Sequence, residues 1–228
     1  MKTTKFKPIL FSTPMVQAIL DDRKTQTWRI IKETPGVCIF CGCTDEDCSQ
    51  CIEKTGKPCS WLNQDETVCS ACWDFPTDKA KYQVDDVLWV RETFCESNHP
   101  IGKYIYKASL FNTGLKLKWK PSIFMPKSAV RIFLKVRNVR AERLQEISDE
   151  DCVKEGIIPL AMSAMQLAES GQLYFDYTKP TQIFNDGIQP FWSFCTLWSS
   201  INSAQNWEDN PFVWVYEFER IEKPDDFI

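Results

Sequence analysis

Short apolar runs separated by polar punctuation dominate the chain outside residues 32–80, and inside that stretch apolar periodicity disappears. Apolar runs of a few residues read as strands, whereas apolar residues three or four apart read as one face of a helix. Ile9 to Phe11 predicts a strand. Thr13 as N-cap with Pro14 at the first helical position predicts a helix, with Val16, Ile19 and Leu20 on its inner face. Lys24-Thr25-Gln26-Thr27 is then a polar exit ahead of a second strand starting at Trp28.

Beyond the aperiodic stretch, Val87 to Arg91 predicts a strand ending with Arg91 and Glu92 on opposite faces, and Tyr104-Ile-Tyr a further short one. Val130 to Val136 alternates as a half-buried strand with a basic outer face. Ser148 reads as an N-cap with Ile147 and Cys152 as its staple, and Gly156 as the stop. Glu155 would then face the negative end of that helix dipole, an unfavourable choice on stability grounds that points to a role. Residues 159–187 are a weakly patterned insertion of helix and loop. Phe191, Phe194, Trp198 and Ile201 recur at helical spacing, and Val213 to Ile221 closes the chain as an aromatic strand. Together these predict an α+β fold.

Eight of the eleven cysteines fall within the aperiodic stretch, as Cys38-x2-Cys41-x-Cys43, Cys48-x2-Cys51, Cys59 and Cys69-x2-Cys72. A Cys-x2-Cys turn aims two sulfurs at one point, and two such pairs complete a tetrahedral zinc shell. The outermost pairs, Cys38, Cys41, Cys69 and Cys72, are the first choice for a structural Zn2+ in zinc-ribbon order. Cys43, Cys48, Cys51 and Cys59 form a second site or stay partly free, and spacing cannot assign the pairing. Residues 33–80 are thus a metal-stabilised insertion in a main domain of residues 1–32 and 81–228. Cys51-Ile-Glu53 begins like a zinc deaminase signature, but its second half is missing after Cys59.

Composition narrows the function. With one histidine, His99, a Ser/His/Asp triad or a histidine acid–base pair is improbable, and eight scattered glycines make no phosphate loop. No apolar stretch is long enough to span a bilayer and the start lacks a signal-peptide core, so a cytoplasmic setting is expected. The net charge of -4 conceals a local imbalance: residues 116–143 hold nine Lys or Arg against Glu142 alone. With Trp119 and Phe124 interleaved, that stretch suits phosphate contacts and base stacking.

With these residues in hand, the chain resembles the ASCH domain family, of the phage and prophage type that carries a cysteine-rich insertion. The resemblance rests on Lys7-Pro-Ile-Leu-Phe-Ser with Lys24-Thr-Gln-Thr-Trp-Arg, Asp86-Val-Leu-Trp-Val-Arg-Glu, and Trp119-Lys-Pro-Ser-Ile-Phe-Met-Pro. It also rests on Arg143-Leu-Gln-Glu-Ile-Ser with Glu155-Gly-Ile, and on Asn210-Pro-Phe-Val-Trp-Val. It implies a PUA-like small mixed β-barrel with flanking helices, and binding of RNA, DNA or a modified nucleotide in a bacterial cytoplasm, RNA being favoured. Arg91, Trp119, Lys120, Lys127 and Arg131 are the binding residues expected. One subgroup hydrolyses N4-acetylcytidine, and its Lys, Thr and Glu match Lys24, Thr27 and Glu155. The resemblance thus implies an alternative: Lys24 as base, Thr27 as nucleophile, Glu155 relaying the proton, and backbone N–H groups or Arg91 holding the oxyanion. Ribonuclease activity, reported for some relatives, is a further alternative. Without the resemblance, Lys24 and Thr27 would read as a solvated helix end and turn hydroxyls.

Overall fold

The computed structural model describes residues 5–97, 103–110, 117–179 and 187–227; His99 and Lys116 lie outside them. The fold is mixed α+β, built on a sheet of five strands. These are β1 (Phe6–Leu10), β2 (Gln26–Ile30), β3 (Val87–Arg91), β6 (Phe133–Arg143) and β7 (Phe212–Ile221), in the order β1-β3-β6-β7-β2. β1 and β3 run parallel, and the other pairs are antiparallel. A separate hairpin pairs β4 (Phe94–Glu96) with β5 (Tyr104–Tyr106).

The sheet is open, with β1 and β2 at its edges. Those edges meet through a side chain, because the Arg29 guanidinium donates to the Leu10 carbonyl at 3.0 Å. β6 carries an irregularity between Val136 and Asn138 that lets one long strand keep apolar residues inward along its length.

Period-2 alternation on β7 divides the core into two layers. Phe212, Trp214, Tyr216 and Phe218 join a core with Leu88, Val90, Leu134 and the cysteine-rich segment. Helix α1 (Thr13–Leu20) covers this face with Val16 and Ile19. Val213 and Val215 point the other way, into a second core formed with α3 (Asp149–Lys154) and α5 (Pro190–Asn202). The sheet thus separates the cysteines from an aromatic helical layer.

Helix α1 begins one residue earlier than the sequence predicts, after Ser12 as N-cap, and Pro14 keeps its place in the first turn. β2 begins at Gln26 rather than Trp28, because Gln26 and Thr27 already pair with Glu217 and Tyr216. Thr27 is therefore a buried strand residue, not a turn hydroxyl. Residues 159–187 hold α4 (Ala164–Ser170), and Tyr174 bridges Pro159 and Ile188. α2 (Ser49–Thr55) lies in the cysteine-rich segment, and α6 (Ala204–Glu208) precedes β7.

Candidate functional site

Lys24 follows α1 after a tight turn in which Asp22 adopts φ 55°. The polar exit is then stitched to the end of α3. The Thr25 N–H donates to the Lys154 carbonyl at 2.9 Å, and the Gln26 side-chain amide to the Asp151 carbonyl at 2.8 Å. The Lys24 ammonium donates to the Glu155 main-chain carbonyl at 2.9 Å and also hydrogen-bonds the Glu155 carboxylate. A cation therefore caps the negative end of α3, offsetting the carboxylate placed there. The other Glu155 oxygen accepts the Trp28 N–H at 2.5 Å.

Lys24 and Thr27 are each 2% exposed, so the solvated helix-end and turn-hydroxyl alternative fails for both, and Glu155 is buried beside them at 5%. Desolvation holds the Lys24 amine below the usual lysine range, although the Glu155 carboxylate pulls it back up. Close approach depends on Gly156, at φ 89°, where a Cβ would lie 2.9 Å from the Cβ atoms of both Ala18 and Lys24. Gly156→Ala should therefore cost more than about 1 kcal/mol, because backbone strain adds to the clash. Urea unfolding checks this; an unchanged midpoint would show that the junction is loose.

The pair sits beside an open cleft of about 120 Å3, smaller than the roughly 300–1,000 Å3 common for small-molecule sites. The pocket straddles the free edge of β2, with Met15 of α1 on one side and α5 on the other. Thr27, Trp28, Arg29, Glu155, Trp198 and Asn202 line it. Lys24 does not, and its ammonium lies behind the lining on the Glu155 carboxylate. Among the described residues the indole N–H groups of Trp28 and Trp198 are buried with no hydrogen-bond partner.

Arg91 is elsewhere. Its guanidinium lies 5.6 Å over the Trp89 ring and donates to the Ile123 carbonyl. The pocket arginine is Arg29, 5.4 Å over the Phe11 ring. Sequence reasoning missed Arg29 and Asn202, and used Trp198 only as one of a set of apolar residues at helical spacing. Helical spacing from Trp198 would have placed Asn202 on the same face, but nothing in the sequence says that this face meets β2.

Most of the basic stretch is matched by acids brought in from other elements. Arg131 grips Glu92 through two hydrogen bonds, of 2.7 and 2.9 Å, and lies 4.0 Å over the Tyr106 ring. Lys120 pairs with Glu96 and Lys135 with Asp85. Arg137 pairs with Glu219, Arg140 with Glu142, Glu217 and Asp151, and Arg143 with Glu33 and Asp65. Lys127 lies 5.7 Å over the Phe227 ring, and Trp119 is half-buried. None of Trp119, Lys120, Lys127 and Arg131 lines the pocket.

On the opposite face of the sheet the cysteines converge and could hold metal. Two groups of four thiols have all their sulfurs within 4.8 Å of one another: Cys38, Cys41, Cys43 and Cys69, and Cys43, Cys51, Cys59 and Cys69. Cys38, Cys41 and Cys69 thus meet as the spacing predicts, while Cys72 and Cys48 belong to neither group. Burial pushes the Cys43, Cys51 and Cys72 thiols well up, so a cation is what would make them thiolates. Phe40, between Cys38 and Cys41, packs on Phe212 and Trp214 at centroid distances of 6.0 and 5.8 Å. No helix among the described residues is long and apolar enough to cross a membrane. No family model, curated protein or solved structure matches the chain.

Proposed function

We propose that this chain is a cytoplasmic ASCH-domain enzyme that removes an acyl group from the exocyclic amine of a modified nucleobase, N4-acetylcytidine being the type substrate. One observation carries the reading: Glu155, hydrogen-bonded to buried Lys24, and Thr27 meet at one aromatic-walled pocket. The PUA-like barrel belongs to the same proposal, supported by the curl that brings the β1 and β2 edges together through Arg29. Structural Zn2+ in the cysteine lobe completes it, the all-thiol donor set suiting a closed zinc site.

In this reading the base lies against the wall that Trp28, Phe194 and Trp198 form together, with Asn202 at its polar edge. Lys24, kept low in proton affinity by burial, passes its proton to Glu155 and becomes the base for the Thr27 hydroxyl. The Thr27 oxygen attacks the amide carbonyl, and the oxyanion is met by Arg29. Glu155 gives its proton to the departing amine, and water then releases the acyl group from Thr27. Because the chemistry uses the one proton that Lys24 and Glu155 share, turnover should fall as pH rises through the lowered Lys24 value and that proton is lost to solvent. A rate that keeps rising with pH up to the ordinary lysine range contradicts these roles.

The test is release of free nucleoside from N4-acetylcytidine, followed chromatographically at low and high salt. Turnover insensitive to salt supports a small-molecule pocket. The other reading, RNA or DNA held along residues 117–143, has Lys118, Ile123 and Phe124 on the exposed surface in its favour. It predicts binding that falls steeply as salt displaces phosphate contacts. Trp198→Ala should weaken nucleoside binding by about 1–3 kcal/mol, the usual worth of one stacked base. Unchanged affinity by calorimetry would remove Trp198 from the site.

A further inference from the structure

We infer that the cysteine lobe builds one joined two-metal thiolate cluster, with Cys43 and Cys69 bridging both ions, rather than two independent four-cysteine sites. The two groups of converging thiols share those two residues and together comprise Cys38, Cys41, Cys43, Cys51, Cys59 and Cys69. Six thiolates serve two tetrahedral ions only if two of them are shared. Four ligands on each ion make eight positions, and two bridges supply the surplus.

Interatomic distances agree with this assignment. A tetrahedral zinc with sulfurs at about 2.3 Å sets sulfur–sulfur edges of about 3.8 Å. Cys41–Cys69 at 3.6 Å, Cys51–Cys69 at 3.7 Å and Cys43–Cys59 at 3.4 Å each join a terminal ligand to a bridge in this scheme. Cys41 and Cys51, terminal ligands of different ions, are also only 3.7 Å apart, closer than two isolated shells require. Cys48 lies 3.1 Å from Cys59, too close for an edge of the shell, and its sulfur accepts the Cys59 N–H at 3.2 Å. That places Cys48 outside as a hydrogen-bonded flank of a ligand. Cys72 is buried and belongs to neither group, although its thiol interacts with those of Cys38, Cys41 and Cys69.

Chain geometry explains why sharing arises here. Cys43 lies two residues past a Cys-x2-Cys turn, and its carbonyl accepts the Cys38 N–H at 2.9 Å, so its sulfur returns to the group it has just left. Cys69 sits in an extended conformation before a short helical turn, in reach of both the Cys38–Cys43 loop and the α2 helix that carries Cys51. Charge also favours sharing. Two divalent ions leave six thiolates at a net charge of −2, against −4 for eight, in a lobe whose metal ligands are mostly buried.

The test loads the full chain with zinc and counts metal by native mass spectrometry, with 113Cd-substituted protein examined by NMR. Two metals per chain with cadmium–cadmium coupling through a shared thiolate is the expected result. Cys69→Ser should lower the occupancy of both ions, while Cys72→Ser and Cys48→Ser keep two. One metal per chain, or two uncoupled cadmium resonances in the unaltered protein, overturns the bridged cluster. So does loss of a single ion on Cys72→Ser. The cadmium spectrum needs no substitution, so misfolding of a variant leaves the test intact.

Discussion

Glu155→Ala should destabilise the protein by about 3–5 kcal/mol, because it strands the fully buried Lys24 ammonium without its carboxylate. The same change removes the acceptor of the Trp28 N–H, a second unsatisfied group at the free edge of β2. Lys24→Met combined with Glu155→Leu should recover much of that loss, since paired replacement of buried ions by apolar groups is often neutral. Turnover should vanish in both proteins. Recovery of stability without activity separates what the pair does for the fold from what it does for chemistry. A single variant that loses less than about 1 kcal/mol in urea would show that water reaches the pair.

Removal of metal should have the larger effect on the whole molecule. Structural zinc contributes on the order of 10 kcal/mol to folding of small thiolate modules, and the segment holding these cysteines contributes no strand to the main sheet. Chelation should therefore melt residues 33–80 and lower the thermal midpoint of the remainder, because Phe40 and Phe75 lose their seats against Phe212. Phe40→Ala, at about 3–5 kcal/mol, should mimic part of that transmission with the metal still bound. Hydrogen exchange reads the outcome: chelation should speed exchange in β7 and then β2. Exchange confined to the cysteine lobe would mean the lobe is an independent appendage.

The sequence made the strands and helices legible wherever apolar periodicity was strong, as in α1, α5, β3 and β7. It placed Lys24 and Glu155 as chemically odd residues: one in a polar cluster, the other at the wrong end of a helix dipole. It could not show that each is the other's explanation, since 131 residues separate them and only folding brings the ammonium onto the carboxylate. The basic stretch misled for the same reason. Glu92, Glu96, Glu217 and Glu219, which neutralise much of it, lie in other parts of the chain and are invisible in a local charge count. Arg91 looked like a pocket residue because it neighbours a tryptophan, but strand alternation turns it toward Trp89 and Ile123. The cysteines were legible as a set that could hold metal. Which of them converge was not, because that depends on how α2 and the Cys38–Cys43 loop approach Cys69.

The proposed hydrolysis requires Thr27 to act as the nucleophile at a nucleobase pocket, and one comparison tests that most directly. The unaltered protein and Thr27→Val, which keeps the side-chain shape and deletes the hydroxyl, are incubated with N4-acetylcytidine, and cytidine release is measured. The expected result is steady turnover by the first and none above background by the second, with nucleoside affinity and thermal midpoint little changed. Equal rates in the two proteins, or no release by either, would contradict it.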